Sequence, residues 1–135
     1  MILGKSALER HGGPKMSPGA RFRNAGRKHI HHGLEYVEGY VSVKGFGLVH
    51  AWNIDSKGPV DFTSGWGPEY EYLGLIIPND AYLELMTAMG LKYWGSVLEY
   101  LAYRAPAELL DRVIPKIAEA NPVSDMNWDA VCSAL

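Results

Sequence analysis

The chain has 135 residues, 47% apolar and 21% charged, a composition that suits one globular domain able to bury a core without staples. No apolar run approaches the roughly 18–20 residues a membrane-spanning helix needs, and the charged, Gly-rich stretch from Met1 to Lys15 is not built like a signal peptide. The single cysteine, Cys132, excludes an intrachain disulfide and a cysteine-based zinc site, and it fits a reducing, cytoplasmic setting.

The formal charge of −2 is unevenly spread. Residues 1–33 carry seven Lys or Arg against one acid, a net +6, and the remainder carries six against fourteen, a net −8. A basic pole of this kind serves either as a polyanion contact or as a segment docked on an acidic body.

Residues 1–16, with Gly12, Gly13 and Pro14, read as a flexible arm. Ser17-Pro18 has the chemistry of a helix start, and the helix is expected over 17–33, with Phe22, Gly26 and Ile30 on one packing face and Gly33 at its end. His29, His31 and His32 then sit where cations complement the helix dipole. From Leu34 the chain turns to Tyr- and Val-rich strand sequence. Strands are expected over 34–43, 48–54, 60–63 and 70–77, with turn chemistry at Asp55-Ser56-Lys57-Gly58 and a strand connection at Gly45-Phe46-Gly47. Helical sequence follows from 79 to 135: Ala81–Met89 capped by Asn79 or Asp80 and ended by Gly90, a second run over 93–103, and a third starting at Pro106. In that third run Leu109, Leu110, Val113, Ile114 and Ile117 form the apolar face, and Pro115 predicts a break or kink. A short terminal helix is expected over Trp128–Leu135. The fold class is therefore α+β: an N-terminal helix packed on a central antiparallel sheet of about four strands, followed by a helical tail, all within one domain over 17–135.

The stretch richest in chemistry is His50-Ala51-Trp52-Asn53-Ile54-Asp55 with Val60-Asp61-Phe62-Thr63. A two-residue loop at Ser56-Lys57 places His50, Trp52, Asp61 and Thr63 on one face of the sheet, because side chains alternate with period two. His50 and Asp61 become diagonal neighbours, about 7–8 Å apart at the backbone. A carboxylate there fixes one imidazole tautomer, the base and orienter of a catalytic triad. A three-residue loop reverses the parity and separates the pair. Both loops are compatible with the sequence.

Tyr36-Val37-Glu38-Gly39-Tyr40-Val41, His50-Ala51-Trp52, Val60-Asp61-Phe62-Thr63 and Tyr72-Leu73-Gly74 together resemble a group of small bacterial and phage proteins related to the transglutaminase-like and papain-like cysteine hydrolases. The resemblance spans about residues 17–77. It implies a nucleophilic cysteine at a helix N-terminus, a His in a "HAW"-type strand and an Asp in the next strand. His50 matches the base and Asp61 its orienter. Arg21-Phe22-Arg23-Asn24-Ala25 matches a Cys-aromatic-x-Asn-Ala pattern, which places Arg21 at the nucleophile position, and Phe62 replaces the usual proline. A guanidinium neither attacks a carbonyl nor loses its proton near neutral pH.

The expectation is thus a non-catalytic binding protein on a degenerate scaffold, with Arg21, Asn24 and Trp52 as ligand-binding residues and a protein or a small anionic ligand as partner. The alternative is a hydrolase or acyl-transferase acting on an amide or peptide bond, with Ser17 or Cys132 as nucleophile. A third reading is nucleic-acid binding through Arg21, Arg23, Arg27 and Lys28, although Arg21 and Arg23 stand about 200° apart around a helix. His29 and His32 have metal-binding spacing but no carboxylate or cysteine nearby. Glycine-rich phosphate loops are absent, so no metal or cofactor is expected.

Overall fold

The computed structural model describes residues 2–3, 21–43, 46–62, 71–90 and 94–122. The elements in chain order are β1 (Ile2–Leu3), α1 (Arg21–His32), β2 (Glu35–Val43), β3 (Phe46–Asp55), β4 (Gly58–Val60), β5 (Glu71–Ile77), α2 (Asn79–Met89), α3 (Val97–Tyr103) and α4 (Ala107–Ala120). The expected start of the first helix at Ser17-Pro18, the start of the last strand at Tyr70, Thr63, Cys132 and the helix over 128–135 lie outside the described residues.

The α+β architecture is the expected one, with the first helix, the sheet and the C-terminal helices in that order. Among the described residues the sheet has five strands in the order β1-β5-β2-β3-β4, every pair antiparallel. The fifth comes from the stretch read as an arm: Ile2 pairs with Gly74 and Leu3 with Leu73. Phe46 and Gly47 belong to β3 and are not a connection, since Val43 pairs with Phe46 and Ser42 with Gly47.

The four helices among the described residues lie on one face of the sheet. There Ala25 of α1, Tyr82 and Leu85 of α2, Val97 of α3, and Leu109, Val113 and Ile117 of α4 close over Tyr36, Ala51 and Ile77. The opposite face buries a second cluster of Val37, Val41, Trp52 and Tyr72.

The helical run expected over 93–103 begins only at Val97, behind the cap Ser96, and two other helices differ from expectation for physical reasons. The buried side of α1 is Asn24, Ala25, Gly26 and His29, whereas Ile30 is exposed. Gly26 sets that orientation: a side chain there would collide with the Tyr82 hydroxyl and come within 2.9 Å of the Trp94 ring, so only glycine lets α1 approach this closely. In α4 the helix runs unbroken through Pro115, which is exposed. Pro115 therefore stands on the solvent side, while Leu109, Val113 and Ile117 form the buried stripe. Ile114 lies on the exposed side.

Candidate functional site

The β3–β4 hairpin closes with the two-residue loop. Asp55 pairs with Gly58 and Ile54 with Pro59, Asp55 Oδ1 accepts a hydrogen bond from the Lys57 N–H at 2.8 Å, and Gly58 takes φ +113°. That parity puts His50, Trp52 and Asp61 on the sheet face away from the helices. His50 Nε2 donates to Asp61 Oδ2 at 2.8 Å, and both residues are 1% exposed.

A third residue joins them. The Tyr72 hydroxyl, from β5, donates to the same Asp61 oxygen at 2.5 Å. Two donors on one oxygen make Asp61 the acceptor of the group, so the Nε2 atom of His50 carries its proton. Trp52 completes the cluster: its ring stacks on His50 at 6.1 Å and meets Tyr72 at 4.9 Å, while its buried indole N–H has no partner among the described residues.

Gly74 makes room for the Trp52 ring, and Gly39 for the backbone of β5. A side chain at Gly74 would come within 2.6 Å of the Trp52 ring and 2.8 Å of Val37, and one at Gly39 would strike the Leu73 carbonyl oxygen of the neighbouring strand. Glycine within a strand is the sequence signal for such a close approach.

The structure therefore brings together three expected site residues and keeps others apart. Arg21 and Asn24 lie on α1, which packs on the helix-bearing face: Ala25 sits in that core, and its carbonyl accepts from Asn53 Nδ2 at 2.9 Å. The sheet stands between this helix and the His50–Asp61 pair. Asn24 is buried, and the Arg21 guanidinium lies 5.1 Å from the Phe22 ring centre. Ser17 lies outside the described residues. His29 is no free helix-end cation, because its nitrogens bond the Leu34 carbonyl at 2.7 Å and Asn79 Oδ1 at 2.9 Å, tying α1 to the start of α2. Among the described residues no set of three His, Cys, Asp or Glu side chains could hold a metal ion.

The second polar centre escaped the sequence reading. Glu38 is fully buried on the helix-bearing face, where its carboxylate receives four donors. The Tyr36 hydroxyl (2.7 Å) and the Val97 N–H (2.8 Å) reach Oε2, while the Leu98 N–H (2.8 Å) and the Ser96 hydroxyl reach Oε1. Ser96 caps α3 as well, accepting from the Glu99 N–H at 3.1 Å. The strand thus supplies an anion to a helix N-terminus whose N–H groups would otherwise be orphaned. Burial pushes the Glu38 carboxyl above its usual range, and the hydrogen bonds pull it back.

Beside Glu38 a cleft of about 460 Å³ opens between α3 and the sheet. Leu73, Leu75, Val49, Leu98 and Ala102 give it apolar walls, and Tyr40, Tyr103 and Glu99 stand with them. Tyr103 is 82% exposed. Burial first, then the nearby Tyr103 and Glu38, pushes the Tyr40 phenol up.

Comparison of the chain with protein-family models, with curated proteins and with solved structures gives no match. Among the described residues no helix is long and apolar enough to cross a membrane.

Proposed function

We propose that this chain is a binding protein and not a catalyst, with the transglutaminase-like likeness reflecting a scaffold whose His–Asp pair has become structural. One observation carries the reading. The pair suited to acid–base chemistry is sealed at 1% exposure, whereas an accessible cleft beside Glu38 lies on the other side of the sheet and, among the described residues, holds no such pair. The serine of that cleft, Ser96, is committed to Glu38 and to the cap of α3. Concave, mostly apolar sites of about 300–1,000 Å³ with a few placed polar groups are the usual form of a small-molecule site.

The test is a panel of serine- and cysteine-directed acylating probes on the full chain. The expected result is no labelling. Stoichiometric labelling that is lost in a folded His50→Ala variant would overturn the reading in favour of a hydrolase or acyl-transferase.

A second reading, contact with nucleic acid through α1, is favoured by one feature. Arg21, Arg23, Arg27 and Lys28 join none of the ion pairs among the described residues. Arg27 and Lys28 instead lie over the Trp94 and Phe62 rings. That reading requires an affinity falling steeply with salt. A flat salt dependence dismisses it.

A further inference from the structure

The chemistry of the cleft selects one class of ligand. Its walls are apolar, so a ligand needs an apolar body. Its charged residues, among those described, are both acids, Glu38 at the floor and Glu99 on α3, with no Lys, Arg or His on the lining. Glu99 is exposed and joins none of the ion pairs among the described residues.

An anion is poorly served here. The donors that would receive one, the Val97 and Leu98 N–H groups and the Ser96 hydroxyl, are already given to Glu38. The same four-donor arrangement fills the lone pairs of Glu38, so its charge acts through space and not as a free acceptor. Tyr40 and Tyr103 add aromatic rings to the lining, and such rings can attract cations through their quadrupoles. The exposed ring of Tyr103 at the end of α3 is apolar surface that a bound molecule would cover.

From this geometry we infer that the cleft between α3 and the sheet binds a small organic cation with an apolar body, of the alkyl- or arylammonium class. The inference rests on the binding-protein reading and names its ligand class. A free small molecule is the fitting occupant, because the volume of about 460 Å³ suits one. The anionic partner expected from Arg21 has no counterpart at this site.

Three six-carbon probes that differ only in the head group provide the test: hexylammonium, 1-hexanol and hexanoate. Each is titrated at low salt into the full, isotopically labelled chain, and the amide signals of Leu75, Leu98 and Ala102 are followed. Hexylammonium is expected to shift these signals and saturate, at an affinity at least about tenfold above that of hexanoate. Glu99→Gln should weaken hexylammonium roughly three- to tenfold and leave hexanol unchanged. Tyr103→Leu should cost about two- to fivefold for the cation.

If hexanol or hexanoate binds as tightly as hexylammonium, or if Glu99→Gln leaves the cation's affinity unchanged, the ligand class is overturned while the cleft stands as a binding site. If none of the three probes shifts the lining signals, the cleft is not a small-molecule site, and both the inference and the reading beneath it fall.

Discussion

Replacing Glu38 with leucine keeps most of the side-chain volume and removes the acceptor that four donors share. Two of the donors are hydroxyls, on Tyr36 and Ser96, and can rotate toward other partners. The other two, the Val97 and Leu98 N–H groups, are fixed at the first turn of α3 and are left without an acceptor. An orphaned buried donor costs about 1–3 kcal/mol, so the two amides alone set a loss of about 2–6 kcal/mol. Relief of the buried charge offsets part of that loss, which leaves a net cost of about 2–4 kcal/mol. Glu38→Gln, which keeps one acceptor oxygen, should fall between, at about 1–2 kcal/mol. Urea unfolding measures both, read as a shift of midpoint at constant slope. Amide hydrogen exchange localises the effect, with Val97 and Leu98 losing protection first. A Glu38→Leu variant as stable as the parent, or less damaging than Glu38→Gln, would refute the claim that this carboxylate holds α3 to the sheet.

Other outcomes follow from the same packing. Gly39→Ala should cost more than Gly74→Ala, by roughly 1–3 kcal/mol, because the first meets strand backbone and the second meets rings that can shift; equal midpoints in urea would contradict the close approach of β2 and β5. Asp61→Ala should cost about 3–5 kcal/mol by stranding the His50 and Tyr72 donors, whereas Tyr72→Phe removes one bond at about 1 kcal/mol; thermal unfolding distinguishes them, and a milder Asp61→Ala would mean the cluster is not shared. Burial pushes the Tyr36 and Tyr82 phenols up, so the unfolded chain loses these protons near pH 10 while the native chain keeps them. Stability should therefore fall as pH rises above about 10, by up to about 1.4 kcal/mol per pH unit for each group; their ionisation without unfolding, seen by ultraviolet absorbance, would contradict it. Asn121→Ala should cost about 2 kcal/mol, since this side chain accepts from the Ile76 N–H and donates to the Ile76 and Ile117 carbonyls, closing the edge of β5 and the end of α4 together. Unchanged protection of the Ile76 amide would argue against that role.

What the sequence discloses is local chemistry. The turn residues at 55–58 mark the hairpin but leave its parity open, and the two-residue loop of the structure puts His50 and Asp61 on one face. Gly33, at φ +70°, and Gly90, at φ +100°, end their helices where their conformational freedom is needed. Contacts that close between distant segments are hidden from such rules. Glu38 lies in a strand next to Gly39 and looks like an ordinary polar residue of an alternating pattern, yet three of its four partners are 58–60 residues away at the start of a helix. The same holds for the side of the sheet on which α1 docks. The helix pattern fixes its own buried stripe to within a residue or two, but the close approach of Gly26 to Tyr82 and Trp94 is a tertiary event that the helix pattern does not contain. A match of local motifs could therefore pair Arg21 with His50 in sequence although the sheet divides them in space.

That division bears on how the molecule is used. Acid–base chemistry needs a group that meets substrate, and binding energy needs a surface that gives up water. In this chain the two requirements fall on opposite faces of one sheet, and adjacent residues of β2 serve both. Gly39 pairs with His50 and Gly74 and lets β2 and β5 approach closely, while Glu38, one residue earlier, holds α3 in place and forms the cleft floor. The sealed face contributes rigidity: Asp61 draws β3, β4 and β5 together through His50 and Tyr72. The open face then presents a cleft whose wall, α3, is a helix of 7 residues, too short to be stable alone and dependent on Glu38 for its position. A ligand that bridges α3 and the sheet should stabilise α3 most, so its arrival is best sought in the protection of the Val97 and Leu98 amides.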